Sequence, residues 1–431
     1  MSESKAYALG LIDFIHTSPS KFHVAFNLAS ELKSKGFEEL SFAETWDIKP
    51  LGKYFVRKNN SALVAFRVGS RGIEQGFKIV GAHNDAPCFQ LKPNPEIKNG
   101  VHLKFNTEVY GGPIFSTWMD RPLSIAGRVC VKSDDPMKPE EKLFDVKKPI
   151  AVIPNLPIHF NREVNDGVKL NPQKDLQPFV RIVEEGFEKN NYLVNIIAKE
   201  LGVKAEDILD YELNLYESEK GVLVGFDEEF ISSGKLDDLA MVWGGIQALI
   251  DAEDSESTKV MACFDNEEVG SQTKQGAASP MFKHILERIA LSLNRTRQDY
   301  LNSLEHSFLI SADMVHAYHP NYPEKYDPEV YPVINGGVTL KVNARQSYST
   351  DSQSGAVFKS LCQLAKIPYQ VVVNRSDIRG GSTIGPIFSS QLDIRAFDMG
   401  TPMFAMHSIR EHGGVQDQYD AYRLFKTYFS L

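Results

Sequence analysis

Two adjacent carboxylates, Glu267 and Glu268, stand at the end of an apolar run: Val260-Met261-Ala262-Cys263-Phe264 leads directly into Asp265-Asn266-Glu267-Glu268. Charge is costly to bury unless it is paired or bound to a metal. Along a strand, neighbouring side chains point to opposite faces, but at a strand-to-helix turn both can reach one cavity. One carboxylate could then hold a metal ion while the other moves a proton. Taken alone, the tetrapeptide reads more simply as a solvated acidic turn, because Glu prefers the surface. Its company decides the matter.

Four more positions repeat the pattern. His83, Asp237, Asp313 and His407, together with Glu268, each lie at the end of an apolar strand or in the turn beyond it. Open α/β sheets bind ligands in the crevice outside their strand C-termini, so residues distant in sequence would be gathered there. Two histidines and three carboxylates without cysteine suit zinc, manganese or cobalt and disfavour an iron–sulfur or thiolate site. Each residue also has a plainer reading. His83 could be an ordinary core or surface histidine, although Asp85, two residues on, is of the type that orients a metal-bound imidazole. Asp237, just ahead of a helix, could be an N-cap. Asp313 follows five apolar or small residues and needs a partner. His407 could be a helix-entry histidine. Singly these are weak; together they describe one site.

The elements that would position them form an α/β pattern. The first 36 residues read as helical, with Ser20 capping a helix whose apolar face is Phe22, Ala25, Phe26, Ala29 and Leu32 and which Gly36 stops. Strands follow within residues 53–92, the third of them running into His83-Asn84-Asp85. Residues 93–230 change texture: short strand-like runs, a Lys-rich stretch at 132–148, and an amphipathic helix near 190–201. They read as an inserted, mostly β domain. The α/β rhythm then resumes with a helix from Leu239 to about Ala252, the strand 259–264, a helix over 280–293, and a strand ending on Asp313. Strands at Val338 to Val342, Tyr369 to Val373 and Ile394 to Phe397 come later. Alternation of this kind predicts a mixed sheet flanked by helices.

Bulk properties exclude more than they identify. The chain has 431 residues, 47 Lys and Arg against 56 Asp and Glu, and a net charge of -9. That mild acidity argues against nucleic acid or an anionic membrane as the main partner. No apolar run approaches the roughly 18 residues needed to span a bilayer, and no signal-peptide pattern opens the chain. Cys88, Cys130, Cys263 and Cys362 lie far apart, which disfavours a disulfide framework. A reduced, cytoplasmic protein is expected.

The motifs His83-Asn84-Asp85-Ala86-Pro87, Leu236-Asp237-Asp238, Asp265-Asn266-Glu267-Glu268-Val269-Gly270-Ser271, Ser311-Ala312-Asp313-Met314, Gly381-Ser382-Thr383-Ile384-Gly385-Pro386 and Met406-His407-Ser408-Ile409-Arg410-Glu411 occur in this order. In this, over nearly its whole length, the chain resembles the aspartyl aminopeptidase family of metallopeptidases. The resemblance implies a zinc-peptidase-like catalytic domain, residues 1–92 and 231–431, and an inserted dimerisation or lid domain, residues 93–230. It also implies two divalent ions per subunit, zinc with cobalt or manganese as alternatives. Asp237 would bridge them, His83 and Asp313 would complete one site, and Glu268 and His407 the other. Glu267 would be the general base and Asp85 would hold His83. Many relatives have Asn where this chain has Asp238, and related two-metal peptidases often have a cis bond after the bridging Asp.

The same resemblance implies a tetrahedral dodecamer in which His159, in Ile158-His159-Phe160, reaches a neighbouring subunit's active site. Lys341 resembles a substrate-binding lysine; its plainer reading is an exposed strand lysine. Gly380-Gly381-Ser382-Thr383 is a substrate-backbone or packing turn and not a phosphate loop, since no Gly-Lys-Ser follows. The expected activity is removal of the N-terminal residue of peptides by metal-activated water, with Asp or Glu preferred and Lys341, or less so Arg379, as the pocket cation. The alternatives are a neutral-residue aminopeptidase on the same scaffold, a catalytically silent peptide-binding assembly protein, and a carboxypeptidase or deacylase.

Overall fold

The buried runs that end on candidate ligands lie side by side in the computed structural model, which describes residues 1–378 and 380–431. Thr258–Phe264, Phe77–His83, Phe308–Ala312 and Arg395–Gly400 are parallel neighbours in that order. Antiparallel partners flank them: Ala62–Arg67 and Lys53–Lys58 on one side, Val338–Lys341 on the other. With Glu38–Glu39 and Tyr369–Val372 at the edges, the mixed sheet has nine strands.

Helices cover both faces of this sheet, which explains why its central strands read as continuous apolar runs. The two-residue period still shows in the packing. Met261 and Cys263 point into a core with Leu11, Leu28, Ile246 and Phe425, from helices Glu3–Thr17, Lys21–Ser34, Leu236–Asp251 and Val415–Ser430. Val260, Ala262 and Phe264 point the other way, against Phe282 and Ile285 of Met281–Ser292 and Phe388 of Ile384–Leu392. A register slip by one residue would exchange the two cores, so apolar packing fixes where each strand ends.

A second, antiparallel sheet is built from Cys88–Asn99, His102–Tyr110, Leu123–Val131, Glu140–Asp145, Phe179–Ile182 and Ile208–Glu217. It has its own core, in which Phe89, Leu123, Ile125 and Leu213 meet Leu193 and Ile197 of helix Tyr192–Leu201. The strand Cys88–Asn99 runs across position 92 and belongs to this second sheet, beginning five residues after the nine-stranded sheet's strand ends on His83. A third, five-stranded sheet was not expected from the sequence. Its strands Val222–Val224, Phe230–Ser233, Glu411–Gly414, Pro402–Phe404 and Val315–His316 span two to four residues each, too short to show a period.

Candidate metal centre

Parallel register brings the first ligands together. Phe264 pairs with His83, and Ser311 with Gly81, so His83, the 265–268 turn and Asp313 emerge along one edge. The turn after Phe264 is sharp: Asn266 is left-handed (φ 62), Glu267–Val269 form one 3-10 turn, and Gly270 (φ 96) closes it. Asp237 enters at the start of Leu236–Asp251, where its own dihedrals (φ -82, ψ 106) are not yet helical and the Asp237–Asp238 peptide is cis. It is not an N-cap; its carboxylate faces the centre. His407 comes from the loop after Pro402–Phe404.

The Asp237 carboxylate is shared. Its Oδ1 lies 3.4 Å from His83 Nε2 and its Oδ2 lies 3.3 Å from His407 Nε2. Glu268 Oε1 is 3.4 Å from the same His407 nitrogen. Ligand atoms of His83, Asp237 and Asp313 fall within 4.8 Å of one another, and so do those of Asp237, Glu268 and His407. Two three-residue sites therefore have Asp237 in common. Glu267, grouped with His83 and Glu268, points its carboxylate into the cleft and has no hydrogen-bond partner there among the described residues.

Buried neighbours hold these ligands. His83 Nδ1 is 3.1 Å from the Asp85 backbone oxygen and 3.5 Å from Asp85 Oδ1, so the carbonyl is the nearer partner. The Asp85 carboxylate instead accepts the backbone N–H groups of Glu267 (3.1 Å) and Glu268 (3.2 Å) and the Tyr110 hydroxyl (2.6 Å). It thus fixes the turn as much as the imidazole. Glu411 accepts N–H bonds from Asp237 and His407. Lys341 is buried, not exposed, and its Nζ lies 3.3 Å from Asp313 Oδ2. Asp265 plays no part in the cleft: it pairs with Lys21 at 3.1 Å.

The donor set suits cations. Asp237 Oδ1 and Glu268 Oε1 are buried and make no hydrogen bond among the described residues, an arrangement that is expensive unless a positive charge faces it. Burial, and next the charge of Asp237, pushes the Glu268 carboxyl up to about 10. Burial likewise raises Glu267 to about 7, with Asp313 and Asp85 adding to the rise. Burial acts on Asp237 in the same sense, but the adjacent imidazoles of His407 and His83 outweigh it and hold this carboxyl below the usual range. Carboxylates that repel one another in a buried cluster are ready ligands for divalent ions.

The centre opens into a cleft of about 630 Å³ whose walls include His316, Lys325, Tyr326, Lys341, Tyr348, Arg375, Ser382 and Thr383. His159 lies elsewhere, on an exposed turn between Ile158 and Phe160, both of which are also exposed. Arg379 lies outside the described residues. Sequence reasoning missed Tyr110, Gly112, His316 and Glu411. The last stands four residues after His407 in a quoted motif, which was the one available signal.

An α/β sheet whose strand ends gather two histidines and several carboxylates around one shared aspartate defines a metal-dependent hydrolase. The sequence profile of the aminopeptidase I zinc metalloproteases (M18) matches residues 14–429. A relative from Clostridium acetobutylicum, described as a probable M18 family aminopeptidase 2, is 52% identical over 433 residues and covers 100% of both chains. Another of that description, from Pseudomonas aeruginosa, is 42% identical and covers 95% of this chain and 94% of its own. Among solved structures, that of the Ape4 and Nbr1 complex matches with TM-score 0.95 and 35% identity over 99% of this chain and 86% of that one. The S. cerevisiae mApe1 dodecamer matches with TM-score 0.86 and 28% identity over 99% and 97%. The chain belongs to the M18 aminopeptidase family and is a zinc aminopeptidase, a metallo-hydrolase acting on peptide bonds.

Proposed function

We propose that this aminopeptidase removes N-terminal Asp or Glu from peptides, with two zinc ions held as the sequence resemblance implies. His83, Asp237 and Asp313 would hold one ion, and Asp237, Glu268 and His407 the other. The observation that carries the reading is the division of the Asp237 carboxylate between His83 Nε2 and His407 Nε2. Two such ions would polarise the scissile carbonyl and lower the pKa of water toward about 7. Glu267, beside the ligands and without a partner of its own, takes the proton from the attacking water and delivers it to the leaving amine. Asp85 keeps Glu267 in place through its backbone N–H.

The acidic preference is supported by the cations on the cleft wall: Lys341, Lys325 and Arg375, with His316 beside them. An acidic side chain in the cleft needs such a counter-charge. Val372, Val373, Ile378 and Met406 line the same cleft and favour a second reading, a neutral-residue aminopeptidase. Hydrolysis of Asp-, Glu-, Leu- and Ala-anilides with added zinc, cobalt or manganese separates the two. Faster turnover of the Asp and Glu substrates is expected; a preference for Leu would overturn the acidic claim and leave the chemistry standing. His159 acts on a neighbouring subunit's substrate in the dodecamer that this reading includes. Its exposed turn and the dodecameric relative support that role.

A further inference from the structure

The two histidines use one device from two different sources. Each Nδ1 faces a backbone carbonyl, which can only accept, so each Nδ1 carries the proton and leaves Nε2 free to ligate. For His83 the carbonyl is that of Asp85, two residues on. For His407 it is that of Gly112, at 3.1 Å, in the segment that follows strand His102–Tyr110 of the inserted sheet.

That segment touches the same half of the centre at several points. The Ile114 N–H donates to the His407 carbonyl (2.9 Å). Thr117 Oγ1 accepts from the Ile409 N–H (3.0 Å). Gly111 has φ +69, and a Cβ at that position would stand 3.1 Å from Glu268 Cβ. Tyr110, just ahead of these residues, serves both halves: it donates to Asp85 (2.6 Å), which faces His83, and accepts from Asn266 Nδ2 (2.8 Å) in the turn that carries Glu267 and Glu268. Among the described residues Asp313 receives no such support; its partner is Lys341, from the nine-stranded sheet.

We propose that residues 111–117 of the inserted domain are a positioning bracket that sets the affinity of the Asp237–Glu268–His407 site and leaves the His83–Asp237–Asp313 site untouched. Occupancy of one ion is thereby tied to the seating of the inserted domain. This rests on the two-site reading above. Substitutions that disturb the partners of ligating side chains cost about 10–100-fold in metal affinity. Gly111→Ala, which meets both the positive φ and Glu268, is expected to fall in that range at one site only.

Zinc titration of metal-depleted protein against a chromophoric chelator tests it in two single-site backgrounds. In Asp313→Ala the remaining ion sits at the bracketed site, and adding Gly111→Ala is expected to weaken it about 10–100-fold. In His407→Ala the remaining ion sits at the other site, and Gly111→Ala is expected to change its affinity less than about twofold, small against that range. Equal weakening in both backgrounds, or no change in either, overturns the bracket. Wild-type protein that binds no zinc, or only one ion, overturns the two-site reading itself. If circular dichroism shows Gly111→Ala unfolded, Thr117→Val takes its place, with a loss of several-fold confined to the Asp313→Ala background.

Discussion

The halves of the metal centre are held by different physics. His83 ends a strand whose core-facing residues are buried on both sides of the sheet, and only 2% of its own surface is exposed. Its position follows from close packing, which tolerates little displacement. His407 stands in a loop with φ 68 and a side chain 30% exposed. Hydrogen bonds place it: its N–H donates to Glu411, its Nδ1 faces Gly112, and its carbonyl accepts from Ile114. One half is preformed by the sheet; the other is assembled by polar groups from two further segments. The apolar core therefore guards the first, and individual polar contacts guard the second.

The sharpest way to probe the comparison is to remove the chemistry and keep both halves. Glu267 belongs to neither three-residue site that shares Asp237. Glu267→Gln is expected to keep its zinc content and to lose about 10²–10⁴-fold in kcat, the usual contribution of a positioned proton-transfer group. Metal analysis beside steady-state kinetics reads both quantities. Near-normal turnover would remove Glu267 as the base, and loss of metal would make it a ligand.

A smaller effect isolates the loop half. The two oxygens of Glu411 accept the Asp237 N–H at 3.1 Å and the His407 N–H at 2.7 Å. The side chain is 2% exposed, and burial, then the charge of Asp237, pushes its carboxyl well up. Glu411→Gln sets an NH₂ group against one of those N–H donors. A buried donor left unpaired costs about 1–3 kcal/mol, so the denaturation midpoint should drop accordingly and zinc retention should fall with it. An unchanged midpoint would show that the loop is held by its contacts to Gly112, Ile114 and Thr117 without Glu411.

The same contrast explains what could be read from the sequence. The strand-end residues were legible because a charged side chain directly after a buried run is anomalous by itself, as at Phe264–Asp265 and Ala312–Asp313. A mixed sheet with flanking helices followed from the same runs, though not its number of strands. Gly112 was not legible: it meets His407 across 295 positions, and glycine has no side chain to announce a role. Tyr110 reads as one more strand aromatic. Asp237 was locally ambiguous between ligand and N-cap because its context is a helix start, and only the fold turns its carboxylate toward two histidines. Asp265 shows the converse. It shares the tetrapeptide with Glu267 and Glu268, yet alternation turns it toward Lys21, a partner no local pattern names. The helix Val415–Ser430 had a readable apolar face, including Ala421, Leu424, Phe425 and Tyr428, but carried no motif to draw notice.

The smallest effect tests whether carboxylates, and not burial, make the centre's histidines unusual. Burial acts to lower both, but the carboxylates of Asp237 and Asp85 beside His83, and the Asp237 carboxylate with the Gly112 carbonyl beside His407, outweigh it and raise both overall. His23 is the comparison. Its Nδ1 meets the Ser20 hydroxyl at 2.8 Å, and no carboxylate bonds to it. Burial lowers it to about 4; the charge of Asp145 opposes, while Lys235 and Lys147 push the same way as burial. Because the folded value lies below the unfolded one of about 6.5, this histidine's contribution to stability is complete above pH 6.5 and is lost as pH falls through about 4. Between pH 7.5 and pH 4.5 the wild type should lose on the order of 1–2 kcal/mol more than His23→Gln, measured by chemical denaturation of metal-free protein. Other groups that titrate in this window do so in both proteins and cancel in the difference. If the two proteins lose stability equally, burial does not lower His23, and the contrast with His83 and His407 loses its reference.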